Sequence, residues 1–269
     1  MEDERGLGGT AFEPVSGQEA VEQVRRFLLA QGWAGLPAGD HLGKLADQGV
    51  RPEQVLWWVP GPAAEARAVA LLHEGLLGLL LSSSDERPAA RALLEGHRSQ
   101  FQRISVLEGQ VDFSGLDEFV LHRRELAVAP ELRVPKVSLP ETRPAQSKDI
   151  DQIHHVYEHV SWMRQDSAEA WRERLQRQRC WVAELAGQVV AVARWTMSFG
   201  PWVEIGGVAT DPEYRRCGAA TAVTLAAATA ALAEGRLACL RYGDPALASL
   251  YHPLGFEHVG RELVFYRGS

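Results

Sequence analysis

The stretch from Val208 to Val223, VATDPEYRRCGAATAV, changes from strand-like to helix-like sequence within a few residues. It begins with β-branched and small residues and then Pro212, whereas its second half is small, Ala-rich and helix-favouring. Two arginines and Gly218 lie at the junction. The first N–H groups of a helix lack intrahelical partners, and the helix dipole makes that end positive. The stretch therefore predicts a strand, a basic turn and a helix start suited to an anion.

The segments around this stretch predict a regular series of elements after Pro140. Two helices are followed by a hairpin between Cys180 and Phe199, a strand entered through Gly200, and an Ala-rich helix from Gly218 to Ala233. A buried strand, a short helix and one or two final strands complete the series. A basic glycine turn by itself is also typical of an ordinary tight connection between a strand and a helix, so the surrounding elements matter.

Two motifs in this series resemble those of the GNAT acetyltransferase superfamily. The run GGVATDPEYRRCGAATAV resembles its pyrophosphate-binding signature, [Gln/Arg]-x-x-Gly-x-[Gly/Ala], with Arg215, Gly218 and Ala220 at the defined positions. The later segment DPALASLYHPLGFEHVG resembles the second motif, usually Asn-x-x-Ala-x-x-x-Tyr followed by Gly-Phe. The resemblance spans Pro140 to Arg267, and two motifs in the expected order make it specific.

The resemblance implies a fold and a cofactor. In GNAT proteins the central strand diverges from the next one, and the pantetheine arm of acetyl-CoA lies in the gap, bonded to strand backbone. Here Val208 and Thr210 would bind that arm, and N–H groups from Arg216 to Thr221 would bind the pyrophosphate. Asp244 stands where Asn is usual and could still cap the next helix. The implied acetyl-CoA-binding residues are Val208, Ala209, Thr210, Arg215, Arg216, Cys217, Gly218, Ala219, Ala220, Thr221 and Asp244.

Glu204 and Tyr251 are the candidate catalytic residues. An alkyl amine has a pKa of about 10, so a base is useful at neutral pH. Strand alternation would put Glu204, Gly206 and Val208 on one face, within reach of a water-mediated proton transfer beside the Val208 N–H, which would polarise the thioester carbonyl. A solvated carboxylate is the alternative for Glu204. Tyr251 corresponds to the superfamily's thiolate-protonating tyrosine, and a core residue packed on Phe256 is the alternative.

The proline-spaced stretch from Val128 to Gln146 is the predicted domain boundary, because widely spaced prolines favour extended chain. This boundary predicts an α/β N-terminal domain (1–135) and a GNAT domain (136–269) with a mixed sheet. The N-terminal domain could be a degenerate, GNAT-like one that does not bind acetyl-CoA. Its elements include an ambiguous segment, Glu65 to Gly75, and a predicted helix, Phe113 to Leu126.

Composition limits the partners. The 269 residues carry a net charge of −7, which argues against a nucleic-acid surface. The sequence shows neither a membrane-spanning run nor a signal peptide, and its three cysteines lack C-x-x-C spacing, which favours reduced thiols in a cytoplasmic protein.

His155 and His159 have a spacing that can bind metal, but no third ligand stands out, and no metal is expected. Frequent Ala, Leu, Arg and Gly suggest a GC-rich bacterial genome.

The resulting hypothesis is an acetyl-CoA-dependent N-acetyltransferase in which a primary amine attacks directly in a ternary complex. The alternative is a non-catalytic acyl-CoA sensor or regulatory module that keeps the groove and lacks turnover. The acceptor stays open, from a small amine to a protein N-terminus, and a homodimer is one arrangement left open. Trp162, Met163, Trp195 or Trp202 could line the acceptor pocket, with core packing as an equal alternative.

Overall fold

The computed structural model describes residues 11–45, 50–61, 65–111, 117–160, 167–177 and 179–268. These residues form two compact units. The first unit runs to Glu125 and also includes the chain from Gly260 onward, and the second unit is Leu126–Val259. None of the described helices combines the length and the apolar character that crossing a bilayer requires. The predicted domains, 1–135 and 136–269, stay a prediction.

The first unit contains a mixed sheet and three helices in its described part. Its strand order is β1-β2-β3-β4-β5-β12, with β4 and β5 parallel and the other neighbours antiparallel. The elements are β1 (Glu13–Pro14), α1 (Gly17–Ala30), α2 (Leu36–Leu45), β2 (Leu56–Pro60), β3 (Ala66–His73), β4 (Leu76–Leu81), α3 (Arg87–Gly96), β5 (Arg103–Leu107), the start of β6 (Phe119–Ala129) and most of β12 (Glu257–Arg267).

The second unit also contains a mixed sheet, with strand order β11-β10-β9-β8-β7. β10 and β11 are parallel, and the other neighbours are antiparallel. The elements are β7 (Glu141–Pro144), α4 (Ile150–Glu158), α5 (Ala168–Arg177), β8 (Cys180–Leu185), β9 (Gln188–Phe199), β10 (Trp202–Thr210), α6 (Ala219–Ala233), β11 (Leu237–Tyr242) and α7 (Ala248–Tyr251). The predicted α/β class with a mixed sheet is confirmed.

In the first unit the structure decides one segment that the sequence left open between helix and strand, and it differs from one predicted helix. The ambiguous segment from Glu65 to Gly75 contains strand β3. The helix predicted from Phe113 to Leu126 is wrong for its described part, which is the start of β6. Its Leu, Arg and Glu residues favour a helix locally, but the segment becomes a strand of the sheet, and tertiary pairing overrides that weak preference.

The sheet of the second unit has an apolar core on each face. Trp181 and Ala183 of β8 pack in the core beneath α6. The Ala-rich face of α6 belongs to the same core. Cys180 and Val182 pack in the core beneath α4 and α5. Because neighbouring strand residues point to opposite faces, the two cores lie on the two sides of the sheet. Both faces of the central strands are therefore covered, which leaves their ends as the place for a ligand.

Candidate functional site

The ends of β10 and β11 form the frame of the candidate site. The two strands pair in parallel over residues Trp202 to Ile205 of β10, and the last pair joins Ile205 to Leu240 of β11. β10 continues to Thr210 and β11 to Tyr242, and in the described part of the chain these later residues do not pair with each other. The central strands therefore separate, as the resemblance to GNAT proteins implied. Each separated edge presents backbone groups that an extended ligand can pair with.

A β-bulge lies in the separated part of β10. Gly206 is in register with Arg194 of β9, but the register shifts before Ala209, so that Gly207 and Val208 lie opposite a single residue. Such an extra residue is left out of the ladder. Gly207 has a φ of +59°, and a Cβ there would lie 2.7 Å from Arg194 Nε. Both the backbone conformation and the space therefore require glycine.

The bulge also changes which side chains share a face. Ile205 and Val208 both pack against the core beneath α6, whereas Ala209 packs in the core beneath α4 and α5. In a regular strand Ile205 and Val208 would point to opposite faces. The expectation that Glu204 and Val208 share a face is therefore wrong, since the bulge reverses the alternation. Glu204 faces the side of α4 and α5.

The turn after β10 contains two left-handed residues. Asp211 Oδ1 accepts a hydrogen bond from the Glu213 N–H at 3.0 Å and so caps the first part of the turn. Arg216 and Gly218 follow with φ values of +64° and +84°. A Cβ on Gly218 would lie only 3.1 Å from Leu139 Cδ2. A side chain at this position would be strained by the backbone and crowded by its neighbour.

Helix α6 begins directly after Gly218. The first bond within the helix runs from the Ala222 N–H to the Gly218 carbonyl at 2.9 Å, so the N–H groups of Ala219–Thr221 lack intrahelical partners. Arg215–Cys217 are exposed beside them. The small side chains, the free N–H groups and the positive helix end together can bind an anion, as the sequence predicted for this stretch.

Thr210 lies between the separated strand and this turn. Its Oγ1 atom is buried and has no hydrogen-bond partner in the described part of the chain. A buried polar group without a partner costs about 1–3 kcal/mol. The hydroxyl is therefore suited to a polar group of a ligand that lies along the end of β10.

Glu204 belongs to a buried charged cluster. Its side chain is 8% exposed, and Arg241 Nε lies 2.5 Å from its Oε1 atom. The Thr196 hydroxyl donates a hydrogen bond to Oε2. Burial and then the negative charge of Glu204 raise the pKa of the Cys239 thiol. Glu204 is therefore not a solvated side chain: it is a charge-paired carboxylate, and each of its oxygens has a partner.

Tyr251 follows α6 and β11 and lies on the other face of the sheet. It is buried in the core beneath α6, with its ring centroid 5.3 Å from that of Tyr242 and 6.1 Å from that of Phe256. Burial, with a smaller contribution from Tyr242, raises the pKa of Tyr251 to about 12. The phenol therefore stays protonated at neutral pH and keeps a proton to donate. Tyr251 therefore packs beside Phe256, as the core alternative expects, and it also has the protonated hydroxyl that the catalytic role requires.

Comparison with known protein families identifies this part of the chain. The model of the acetyltransferase (GNAT) family matches residues 147–256. The chain contains a GNAT acetyltransferase domain. The family supports acyl transfer as the general activity of this domain. No curated protein matches the chain.

Solved structures share the fold of the GNAT domain and of the residues before it. The GCN5-related N-acetyltransferase from Sphaerobacter thermophilus has a TM-score of 0.63 at 16% identity, with 96% of each chain covered. A GNAT-family acetyltransferase from Colwellia psychrerythraea has a TM-score of 0.57 at 10% identity, covering 96% of this chain and 99% of that one. A GCN5-related N-acetyltransferase from Kribbella flavida has a TM-score of 0.56 at 18% identity, covering 76% and 87%. At these identities the likeness concerns the fold alone.

The second motif of the GNAT domain forms a capped turn. Asp244 Oδ1 accepts a hydrogen bond from the Ala246 N–H at 2.9 Å, at the start of a single 3-10 turn that leads into α7. Asp244 therefore has the capping role expected for it in place of Asn. Gly255 ends the following turn with a φ of +96°, where its missing side chain leaves room for the Glu131 carbonyl.

The tryptophans considered for the acceptor pocket have different positions in the GNAT domain. Trp195 is buried in the core beneath α6, and its Nε1–H donates to the Ala227 carbonyl at 3.0 Å, so core packing is confirmed for it. Trp202 is half-buried at the start of β10. Trp162 and Met163 lie outside the described residues.

Sequence reasoning missed three residues of the GNAT domain that contact the site. Arg241 and Thr196 hold Glu204, and the Tyr157 hydroxyl donates a hydrogen bond to the Gly207 carbonyl at 2.5 Å. Arg241 had a usable signal, because a charged residue inside the apolar run LACLRY needs a buried partner. Tyr157 lies on the buried face of α4 with Ile153 and Val156, and a pattern of apolar residues does not indicate what its hydroxyl binds.

Proposed function

We propose that the GNAT domain transfers an acetyl group from acetyl-CoA to a primary amine by direct attack in a ternary complex. The observation that carries the proposal is the bulge at Gly207 and Val208, which lies where β10 separates from β11 and just before the bare start of α6. The separated strand edge suits an extended ligand arm that contains amides. The helix start that follows it suits a pyrophosphate. Acetyl-CoA has both.

Two features of the chain fit this ligand. The buried Thr210 hydroxyl without a partner in the described residues suits the extended arm, together with the backbone of Val208 and Ala209. At Gly218 the left-handed backbone leads into the helix start, where the N–H groups from Arg216 to Thr221 would hold a phosphate. When bound, acetyl-CoA supplies an activated acetyl group as a thioester.

The reaction that this arrangement would support balances without any further reactant. A bond forms between the amine nitrogen and the acetyl carbon, and the bond between that carbon and sulfur breaks, with its electron pair going to sulfur. One amine proton goes to a base and one proton reaches the sulfur, giving an amide and a free thiol. The Val208 N–H would donate to the acetyl oxygen, on which negative charge grows.

Glu204 is the proposed acceptor of the amine proton, through a water molecule. Its ion pair with Arg241 compensates the loss of solvent around the buried carboxylate. Since both oxygens already accept a hydrogen bond, a water molecule must use the remaining lone pairs. The same two bonds also support the alternative function, an acyl-CoA-binding module without turnover, because they show that Glu204 has a structural partner.

Tyr251 is the proposed proton donor to the departing sulfur. We expect Tyr251→Phe to lower kcat by about 100-fold, with little change in affinity for acetyl-CoA, because the hydroxyl acts late in the reaction. With the pKa of Tyr251 raised to about 12 by burial, the wild-type rate should not fall as pH passes ~10, where an ordinary tyrosine loses its proton. Stopped-flow kinetics across alkaline pH would measure both effects.

Tyr266→Phe is the matched control for this variant. Its hydroxyl, in the first unit, accepts a hydrogen bond from Arg124 at 3.0 Å, so the change removes a bonded hydroxyl outside the residues matched by the GNAT family. Its kcat should equal that of the wild type. An unchanged rate in Tyr251→Phe would remove Tyr251 from the mechanism.

The proposed function itself is tested by thiol release. The full chain is incubated with acetyl-CoA and a panel of amines that includes small amines, amino acids, aminoglycosides and peptides, and free thiol is measured with a chromogenic disulfide. We expect acceptor-dependent thiol release with formation of the acetylated amine. Calorimetric binding of acetyl-CoA without thiol release for any acceptor would instead establish the binding module.

A further inference from the structure

Tyr157 lies on α4 and contacts the bulge of β10. Its side chain is buried, and its hydroxyl donates to the Gly207 carbonyl at 2.5 Å. Phenylalanine would fill the same space without this bond. The hydroxyl therefore binds directly to the bulged peptide group of the proposed site.

The peptide group that accepts this bond also contains the Val208 N–H. A peptide group is planar, and the one between Gly207 and Val208 is trans, so its N–H points away from its C=O. Fixing the carbonyl oxygen therefore fixes the direction of the N–H. A hydrogen bond accepted by the carbonyl also polarises the amide and makes its N–H a stronger donor.

Close packing restricts the Tyr157 hydroxyl. The Tyr157 ring stacks on Trp171, with centroids 4.7 Å apart and planes 9° apart, and Trp171 is fully buried. The Arg194 guanidinium lies 5.5 Å from the centroid of the Trp171 ring. A Cβ on Gly207 would lie 2.7 Å from Arg194 Nε and 2.9 Å from the Tyr157 hydroxyl. The tyrosine, the arginine and the bulge are thus packed without space for a side chain between them.

We infer that Tyr157 is a positioning residue for acetyl transfer: its hydroxyl holds the Gly207 carbonyl so that the Val208 N–H is directed toward the acetyl oxygen. The inference rests on the proposed function, since it requires an acetyl group at the bulge. A donor that is oriented before the reaction stabilises the growing negative charge without reorganisation. Tyr157 acts through the peptide group and does not contact the substrate.

Tyr157→Phe tests this role in kinetics. Loss of a whole oxyanion donor lowers kcat by about 100-fold to 1000-fold, and here the donor stays but is less well oriented, so we expect a loss of about tenfold. KM for acetyl-CoA should change little, because the interaction strengthens in the transition state. Tyr266→Phe again serves as the control and should keep the wild-type kcat.

A spectroscopic measurement separates this role from simple packing. Isotope-edited infrared spectra are recorded for acetyl-CoA labelled at the acetyl carbonyl and bound to the full chain without an acceptor. In the wild type the carbonyl band should lie below that of free acetyl-CoA, because the Val208 N–H polarises the bond. In Tyr157→Phe it should move back toward the free value, and in Tyr266→Phe it should stay at the wild-type value.

Incorporation of a singly fluorinated tyrosine at position 157 covers the case in which the Phe variant does not fold. The fluorinated phenol is a stronger donor of nearly the same shape, so the carbonyl band should move further from the free value, opposite to the effect of Phe. An unchanged band in this protein, or an unchanged band and kcat in Tyr157→Phe, would overturn the inference and leave the proposed function intact. A wild type that releases no thiol with any amine would instead overturn the proposed function.

Discussion

Gly218→Glu is expected to weaken acetyl-CoA binding by at least about 100-fold, which corresponds to about 2.7 kcal/mol. Gly218 has a φ of +84°, a conformation that costs a residue with a side chain about 1–2 kcal/mol. The added Cβ would also lie 3.1 Å from Leu139 Cδ2. The new carboxylate would repel the pyrophosphate at the positive end of α6. Isothermal titration calorimetry with acetyl-CoA measures the change.

Gly235→Glu is a matched control at the other end of the same helix. Gly235 has a φ of +69°, and nothing lies within 4 Å of a Cβ built on it. The substitution adds the same charge at a similarly strained backbone, yet we expect wild-type affinity. Gly218→Ala adds the strain without the charge and should give an intermediate loss. A folded Gly218→Glu protein with wild-type affinity would mean that the pyrophosphate binds elsewhere.

Most elements of the second unit could be predicted because their signals are local. The β8–β9 hairpin turns at Ala186 and Gly187, which both adopt left-handed φ values, as a two-residue turn requires. Ser167 accepts a hydrogen bond from the Ala170 N–H at 3.2 Å, which is the local capping that a serine before a helix favours. Gly235 follows α6 with a φ of +69°. Each of these signals depends only on residues close together in the sequence.

The elements and contacts that could not be predicted depend on distant residues. Strand β6 has a helix-favouring sequence, and its pairing in the sheet decides its conformation. The sequence did not predict the bulge at Gly207, because its position depends on Arg194 and Tyr157 packed against it. A change of one residue in register reverses every later side chain, so the predicted face of Val208 was wrong.

The partner of Glu204 was the main feature of the site that the sequence did not reveal. Arg241 lies 37 residues further along the chain, on the neighbouring parallel strand. Parallel register places Glu204 opposite Cys239, and alternation then puts the Arg241 side chain on the same face. This register cannot be read without knowing which strands are neighbours. The ion pair changes the question about Glu204 from whether it is solvated to whether a paired carboxylate can act as a base.

Glu204→Gln is expected to lower the rate of acetyl transfer by about 100-fold, the lower range for loss of a general base. The defect should be largest at low pH, since an amine with a pKa of about 10 is then almost fully protonated and needs the base most. The variant should also be less stable, by about 2 kcal/mol or more, because it leaves the Arg241 guanidinium without its carboxylate. Pre-steady-state kinetics and urea denaturation measure the two effects.

The double variant Glu204→Gln/Arg241→Met separates the base from the ion pair. Removing both charges of a buried pair is often nearly neutral for stability, so the free energy of unfolding should return toward the wild-type value. The rate should stay about 100-fold low, because no carboxylate has been restored. Arg241→Met alone keeps the carboxylate and should be faster than Glu204→Gln although it is also destabilised. If the rate recovered together with the stability in the double variant, Glu204 would have only a structural role and the amine proton would have to leave by another route.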